Sequence, residues 1–197
     1  RCNMYRKTWM QVNLDKIERN LIKLKDICQK KIIAVLKADA YGCGDIHVAR
    51  AVLEAGAEMI AVSSLDEALV LRNEGYLGKL LILGATEASD IPVLIKQGIS
   101  CTAYSDEWVD NVIQQNCADL HVHLKMDTGM SRIGFRTIDE LHLAFNKLQV
   151  ANCTMEGIFT HFCCADSDLE LTNLQFSKFK EAVESFSYSF PWVHCDN

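Results

Sequence analysis

The chain has 197 residues, 49% hydrophobic and 23% charged, enough for one domain with a sizeable core. A net charge of −6 argues against a nucleic-acid partner, which calls for a basic face. Apolar runs such as IIAVL and LLILGA are too short to span a bilayer, and no secretory signal is visible.

In chain order, the first pattern is Tyr5–Asn13, which alternates like a strand and needs a partner elsewhere. It sets residues 1–13 apart as a leading strand segment, before a body covering 14–197. Leu14, Ile17, Leu21, Leu24 and Cys28 then recur at helical spacing, with Asn13 placed to cap them. Seven runs of strand length follow, at 32–37, 59–64, 80–84, 100–105, 120–127, 156–161 and 192–197. Helical patterns separate them. Ser64 with Glu67, Thr137 with Glu140 and Thr172 with Gln175 fit capping boxes, and Gly56 and Gly75 stand where helices should stop.

Strand followed by helix, repeated, predicts a parallel sheet with crossover helices. An open doubly wound sheet and a closed (β/α)8 barrel share that pattern, and the pattern alone leaves both open. A complete barrel takes about 250 residues, so a barrel here is incomplete, with about seven βα units. The chain starts at Arg1 rather than Met and is read as an excerpt of a longer one, with an upstream anchor left open. Nine cysteines, an odd number without a CxxC, read as reduced thiols in a cytosol-like compartment. A zinc site drawn from His121, His123, His161 and Cys163–Cys164 matches no structural zinc spacing, so no metal is expected.

In parallel α/β folds the chemistry gathers at the C-terminal ends of strands. The first strand ends in Lys37, followed by Ala38-Asp39-Ala40-Tyr41-Gly42-Cys43-Gly44. A lysine there is either a rim residue reaching for water or an amine held for Schiff-base chemistry. The fifth strand runs into Lys125-Met126-Asp127-Thr128-Gly129-Met130-Ser131-Arg132. That cluster is either a solvated ion pair or an arginine held to grip an anion. His161 closes the sixth strand, as a satisfied core histidine or a ring beside a flat cofactor.

Four segments carry a resemblance. VLKADAYGCG at 35–44 resembles the pyridoxal-phosphate lysine motif of alanine racemases, and LKMDTGMSRIGF at 124–135 resembles the second hallmark of that family. EGIFTHF at 156–162 and HCDN at 194–197 are similar to two further motifs, and TWMQVNLDKIERNL at 8–21 resembles the family's opening segment. The resemblance covers nearly the whole chain. It implies an α/β (β/α)8 TIM-type barrel, truncated here, whose leading strand belongs to an absent C-terminal β domain. It implies pyridoxal 5'-phosphate on Lys37 as a Schiff base, with Lys37 as one of two catalytic bases. Tyr41 would contact the phosphate, His161 would lie by the pyridine ring, and Asn197 would open the phosphate-binding motif. Arg132 would bind the substrate carboxylate near the cofactor's phenolic oxygen, supported by Asp127 and by Lys125, a position carbamylated in many members.

The implied activity is racemisation of alanine for cell-wall peptidoglycan, with serine as the alternative substrate. A homodimer partner would supply the second base. The implied location is the cytoplasm, as a free enzyme or as the cytoplasmic domain of a membrane-anchored one. Two other readings stay open: a related pyridoxal-phosphate barrel acting as decarboxylase or carrier, and a cofactor-free Schiff-base lyase. Cys195 and Asp196 depart from the small residues usual in the family, and Ser131 replaces a common glycine.

Overall fold

A computed structural model describes residues 8–196 of the chain. Seven strands alternate with helices: β1 Ile33–Val35, β2 Met59–Val62, β3 Leu80–Ile82, β4 Cys101–Ala103, β5 His121–Met126, β6 Thr154–His161 and β7 Trp192–Asp196. Each of the seven expected runs is a strand, most of them shorter than the apolar run that announced them. Neighbours pair in parallel in the order β1-β2-β3 and β4-β5-β6-β7, and a bridge between Leu81 and Ser100 joins the two groups. A doubly wound sheet reverses direction partway along its strand order. Strictly sequential order means that the sheet curls one way, which selects the barrel.

Helix starts follow from short polar side chains at the caps. Asn13 accepts from the Lys16 amide at the head of α1 (Leu14–Cys28), and Ser105 does the same for α6 (Asp106–Ile113) through Trp108. Thr137 and Glu140 form the full reciprocal box at α7 (Ile138–Val150). The expected box at Thr172 and Gln175 does not form, because α8 (Leu169–Glu184) begins earlier, capped by Asp168. Thr172 lies inside that helix and donates back to the Asp168 carbonyl. Residues 8–13 of the expected leading strand carry no regular structure, and among the described residues no strand pairs with them. Residues 5–7 lie outside the described residues.

The side-chain alternation of the strands divides the core in two. Outward residues such as Ala34, Ile60, Val62, Leu80, Val122, Leu124 and Ile158 pack against the helices. Inward residues form a smaller group in which Trp192 of β7 meets Met59, Ala61 and Leu81, with Ile33, Val35 and Leu83 beside it. Contact between β7 and β2–β3 shows that the sheet has curled around its own interior. Above this apolar floor stands a buried polar column. Ser100 Oγ donates to Glu156 Oε2, and His123 Nε2 lies 3.3 Å from the same oxygen. His123 Nδ1 is 3.0 Å from His194 Nε2.

Candidate active site

Lys37 follows directly on β1. Ile33 and Val35 face the interior, and Leu36 leaves the extended strand (φ −118°, ψ 24°) before the chain reaches Lys37. Lys37 opens α2 (Lys37–Gly42). Ala38, Asp39, Ala40 and Tyr41 all have φ between 52° and 57°, one turn of left-handed helix made from four residues with a Cβ. Such a conformation costs roughly 1–2 kcal/mol per residue. Strain of this kind persists only where surroundings hold it and is concentrated at functional sites. Two carboxylates hold it here. Glu67, in the first turn of α4 (Leu65–Asn73), accepts from the Ala38 amide at 2.7 Å with one oxygen. Its other oxygen accepts from the Ser63 amide at 2.7 Å and the Ser63 hydroxyl at 2.8 Å. Asp39 accepts from the Asp45 amide at 2.8 Å, tying the turn to the head of α3 (Asp45–Glu54). Lys37 Nζ lies 5.8 Å from the Tyr41 ring centre, and Tyr41 itself is largely exposed.

Glu67 was expected to box with Ser64. Only half of that pair forms: Ser64 Oγ accepts from the Glu67 amide, while the carboxylate turns toward Ser63 and Ala38. Burial pushes its pKa up, but the donors at Ser63, Ala38 and Ser64 outweigh it and leave it below the ordinary value.

The second group follows β5. Lys125 is only 2% exposed. Its Nζ donates to the Ile133 carbonyl at 3.1 Å and lies 5.7 Å from the Phe159 ring centre. Burial first, then the charge of Arg132, push it down to about 8, against a smaller opposing pull from Asp127. Asp127 accepts from the amides of Gly129 at 3.1 Å and Ser131 at 2.9 Å, which folds the 128–134 segment back over the strand end. Phe135 closes the loop by exchanging backbone bonds with Lys125 and Asp127. Gly134 makes that closure fit: at φ 124°, an added Cβ would stand 2.9 Å from both the Asp127 nitrogen and the Lys125 oxygen. Arg132 sits at the exposed crest of this loop.

His161 ends β6, half-buried, beside the backbone of Asp196 in the β6–β7 register. Thr160 ties β5 to β6, with its hydroxyl 2.9 Å from both Thr128 Oγ1 and the Met126 carbonyl. Below it, Phe159 stacks face to face on His194, with centres 4.7 Å apart. The buried Gln175 of α8 accepts from the Cys163 amide, while its own amide nitrogen has no partner.

The structure therefore brings Lys125, Asp127 and Arg132 together and sets Lys37 beside Tyr41, on β5 and β1 of one barrel mouth. Asn197 lies outside the described residues. Among the described residues no three His, Cys, Asp or Glu side chains are arranged to hold a metal. His121 and His123 face Glu156, not each other's ligands. Sequence reading missed the left-handed turn, its Glu67 clamp, and the Phe159–His194 stack under Lys125. A carboxylate three residues past a helix cap gave a signal for Glu67, but a signal for capping only. A pyridoxal phosphate group fits this mouth on chemical grounds. The amine of Lys37 on the clamped turn supplies an attachment point, and Arg132 near Lys125, partly balanced by Asp127, supplies a cationic group for an anionic ligand.

A family described as "Alanine racemase, N-terminal domain" matches residues 12–197. Among curated proteins, alanine racemase 1 of Oceanobacillus iheyensis is 39% identical over 98% of this chain and 54% of its own length. The alanine racemase of Geobacillus stearothermophilus is 36% identical over 99% of this chain and 52% of its own. The chain thus spans about half the length of the curated relatives it matches. Among solved structures, the alanine racemase of Bacillus anthracis with bound L-Ala-P superposes with a TM-score of 0.89 at 35% identity, over 98% of this chain and 53% of that one. A histidine racemase of Leuconostoc mesenteroides gives 0.86 at 27% identity, over 92% of this chain and 50% of its own.

Proposed function

The chain belongs to the alanine racemase family through its N-terminal domain, and from that premise we propose that it forms the cofactor-binding half of a pyridoxal-phosphate-dependent racemase acting on alanine. The observation that carries the reading is Lys37 held on a clamped left-handed turn at the barrel mouth that also carries the buried Lys125 and Arg132. The family resemblance assigns Lys37, Tyr41, His161, Asn197 and Arg132 to the cofactor, and Arg132 also to the substrate.

Removal of the Cα proton of an amino acid is too costly for a side chain acting alone. When bound, pyridoxal phosphate supplies delocalisation of the electron pair that the departing proton leaves behind. The remaining work belongs to the protein. Lys37 Nζ would hold the cofactor, and the same amine would take or return the Cα proton on one face. Arg132 pairs with the substrate carboxylate and fixes which Cα bond faces Lys37. Lys125 and Asp127 hold the backbone of the loop that carries Arg132, through the Ile133 carbonyl and the amides of Gly129 and Ser131. The base for the opposite face comes from the partner subunit of a homodimer in this reading. Its product, D-alanine, would serve peptidoglycan synthesis in the cytoplasm. Among the described residues no helix is long and apolar enough to cross a membrane.

The test uses the full-length gene product. L-alanine should lose its optical rotation without release of carbon dioxide, and the bound-cofactor absorbance should vanish in Lys37→Ala. An unchanged cofactor spectrum in that variant refutes the assignment. Release of carbon dioxide selects the decarboxylase reading, and faster racemisation of serine than of alanine selects the alternative substrate.

A further inference from the structure

Lys37 reaches the barrel mouth through backbone that few residues adopt unaided. From Ala38 to Tyr41 every φ is positive, and none of the four is glycine. Beside the bonds within the turn itself, the Ala40 amide donates to Leu36, the Cys43 amide to Ala40 and Asp39, and the Gly44 amide to Asp39. Left to these, the segment would relax toward ordinary right-handed backbone and carry the amine of Lys37 with it. The first residue of the left-handed run, immediately after Lys37, is the one whose amide is taken by a side chain from another element. That side chain is Glu67, and its second oxygen is fixed by the Ser63 amide and hydroxyl at the end of β2. β1 and β2 are hydrogen-bonded neighbours, so the carboxylate staples the start of the turn to the adjacent strand end. One carboxylate thus satisfies three donors, and a charged acceptor makes each bond stronger than a neutral one would.

We propose that Glu67 is a positioning residue: it does not touch the reacting atoms, but it holds the left-handed turn so that Lys37 Nζ stands where the cofactor aldehyde must meet it. The claim rests on the assignment of Lys37 as the attachment point. Asp39 acts at the far end of the turn, on the Asp45 amide, and cannot replace a bond at Ala38. Glutamine at 67 keeps one carbonyl oxygen of the same reach, so it can serve Ala38 or Ser63 but not both at full strength. Alanine serves neither. Ser63→Ala removes one of the three donors, and the amides of Ser63 and Ala38 continue to hold the carboxylate.

The experiment compares Glu67→Ala, Glu67→Gln and Ser63→Ala with the parent in the full-length protein. Three quantities are read: thermal unfolding, amide hydrogen exchange of the 36–44 segment without cofactor, and titration with pyridoxal phosphate followed by absorbance and visible circular dichroism. Glu67→Ala should exchange the segment faster, bind pyridoxal phosphate about tenfold or more weakly, and lose most of the induced dichroism. Glu67→Gln should recover part of both, and Ser63→Ala should stay close to the parent. Equal loss in the alanine and glutamine variants, tracking their thermal destabilisation, would mean that Glu67 only supports the fold and would overturn the proposal. Unchanged exchange at 36–44 in Glu67→Ala would overturn it as well. If the parent itself takes up no cofactor on Lys37, the functional reading fails, and the exchange data alone decide whether Glu67 holds the turn.

Discussion

Replacing Lys125 by methionine should stabilise the protein at neutral pH, against the usual expectation for a buried contact residue. Lys125 ordinarily titrates at 10.5, but burial and Arg132 bring it to about 8 in the folded chain. That difference corresponds to roughly 3 kcal/mol of disfavour for the charged form. The sign follows from proton counting. Between pH 8 and 10.5 the unfolded chain binds the proton that the folded chain has released, so stability contributed by this group rises with pH across that window. Below pH 8 the disfavour is present in full. Methionine keeps the apolar stem beside Phe159 and removes the charge, while losing the bond to the Ile133 carbonyl, worth about 1 kcal/mol. The net expectation at pH 7 is a gain of about 1–2 kcal/mol. Above pH 10.5 the gain should disappear and leave a small loss. Urea unfolding of parent and Lys125→Met at intervals from pH 7 to 10.5, in buffer depleted of carbon dioxide, measures this directly. A difference between the two proteins that stays constant with pH would refute the assignment of a buried, charge-crowded amine.

Three further outcomes follow from the same geometry. Gly134→Ala should cost about 1–3 kcal/mol of stability and raise KM more than it lowers kcat, because the loop bearing Arg132 can no longer close on Lys125 and Asp127; parental unfolding curves and parental KM would contradict it. Glu156, lowered to about 2 from 4.5 by the donors at His123 and Ser100 despite its burial, contributes stability that is present above pH 4.5 and lost as pH falls toward 2. Glu156→Gln should therefore flatten the acid limb of the stability curve, by roughly 2–3 kcal/mol, and an identical acid limb in both proteins would count against the buried polar column. In buffer containing 13C-bicarbonate, Lys125, whose amine is part-neutral at mild alkaline pH and beside Arg132, should take up carbon dioxide as a carbamate with loss of a proton, seen as a 13C carbonyl resonance of the intact protein that Lys125→Met lacks; the same spectrum in both proteins would exclude that modification.

The barrel was legible because its signals are local and repeated. Val, Ile and Leu runs of strand length alternated with capped helical patterns, and Asn13, Ser64, Thr137, Gly56 and Gly75 fell close to real boundaries. Closed versus open architecture was not legible, since it depends on strand order, and order became visible only in the pairing of Leu81 with Ser100. At Thr172 a capping pattern was correct in type and wrong in place, because Asp168 four residues earlier offers a carboxylate in the same role. The site shows the sharper limit. Motif resemblance named Lys37, Lys125, Asp127 and Arg132, yet nothing in KADAYG signals a left-handed turn, since alanine, aspartate and tyrosine all prefer right-handed backbone. That conformation is imposed from outside the segment by Glu67, and a tertiary bond spanning 29 positions leaves no local trace. The His123–His194 contact, across 71 positions, is invisible for the same reason. Both histidines are pushed down by burial, and His194 reaches about 3, so neutral rings link Glu156 to the face of Phe159.

Reduction with borohydride in the presence of pyridoxal phosphate, followed by peptide mass mapping of the full-length protein, reaches the central claim most directly. The pyridoxyl group is expected on Lys37, with Lys125 unlabelled. A label on Lys125 in place of Lys37, or no label on either, would contradict the account.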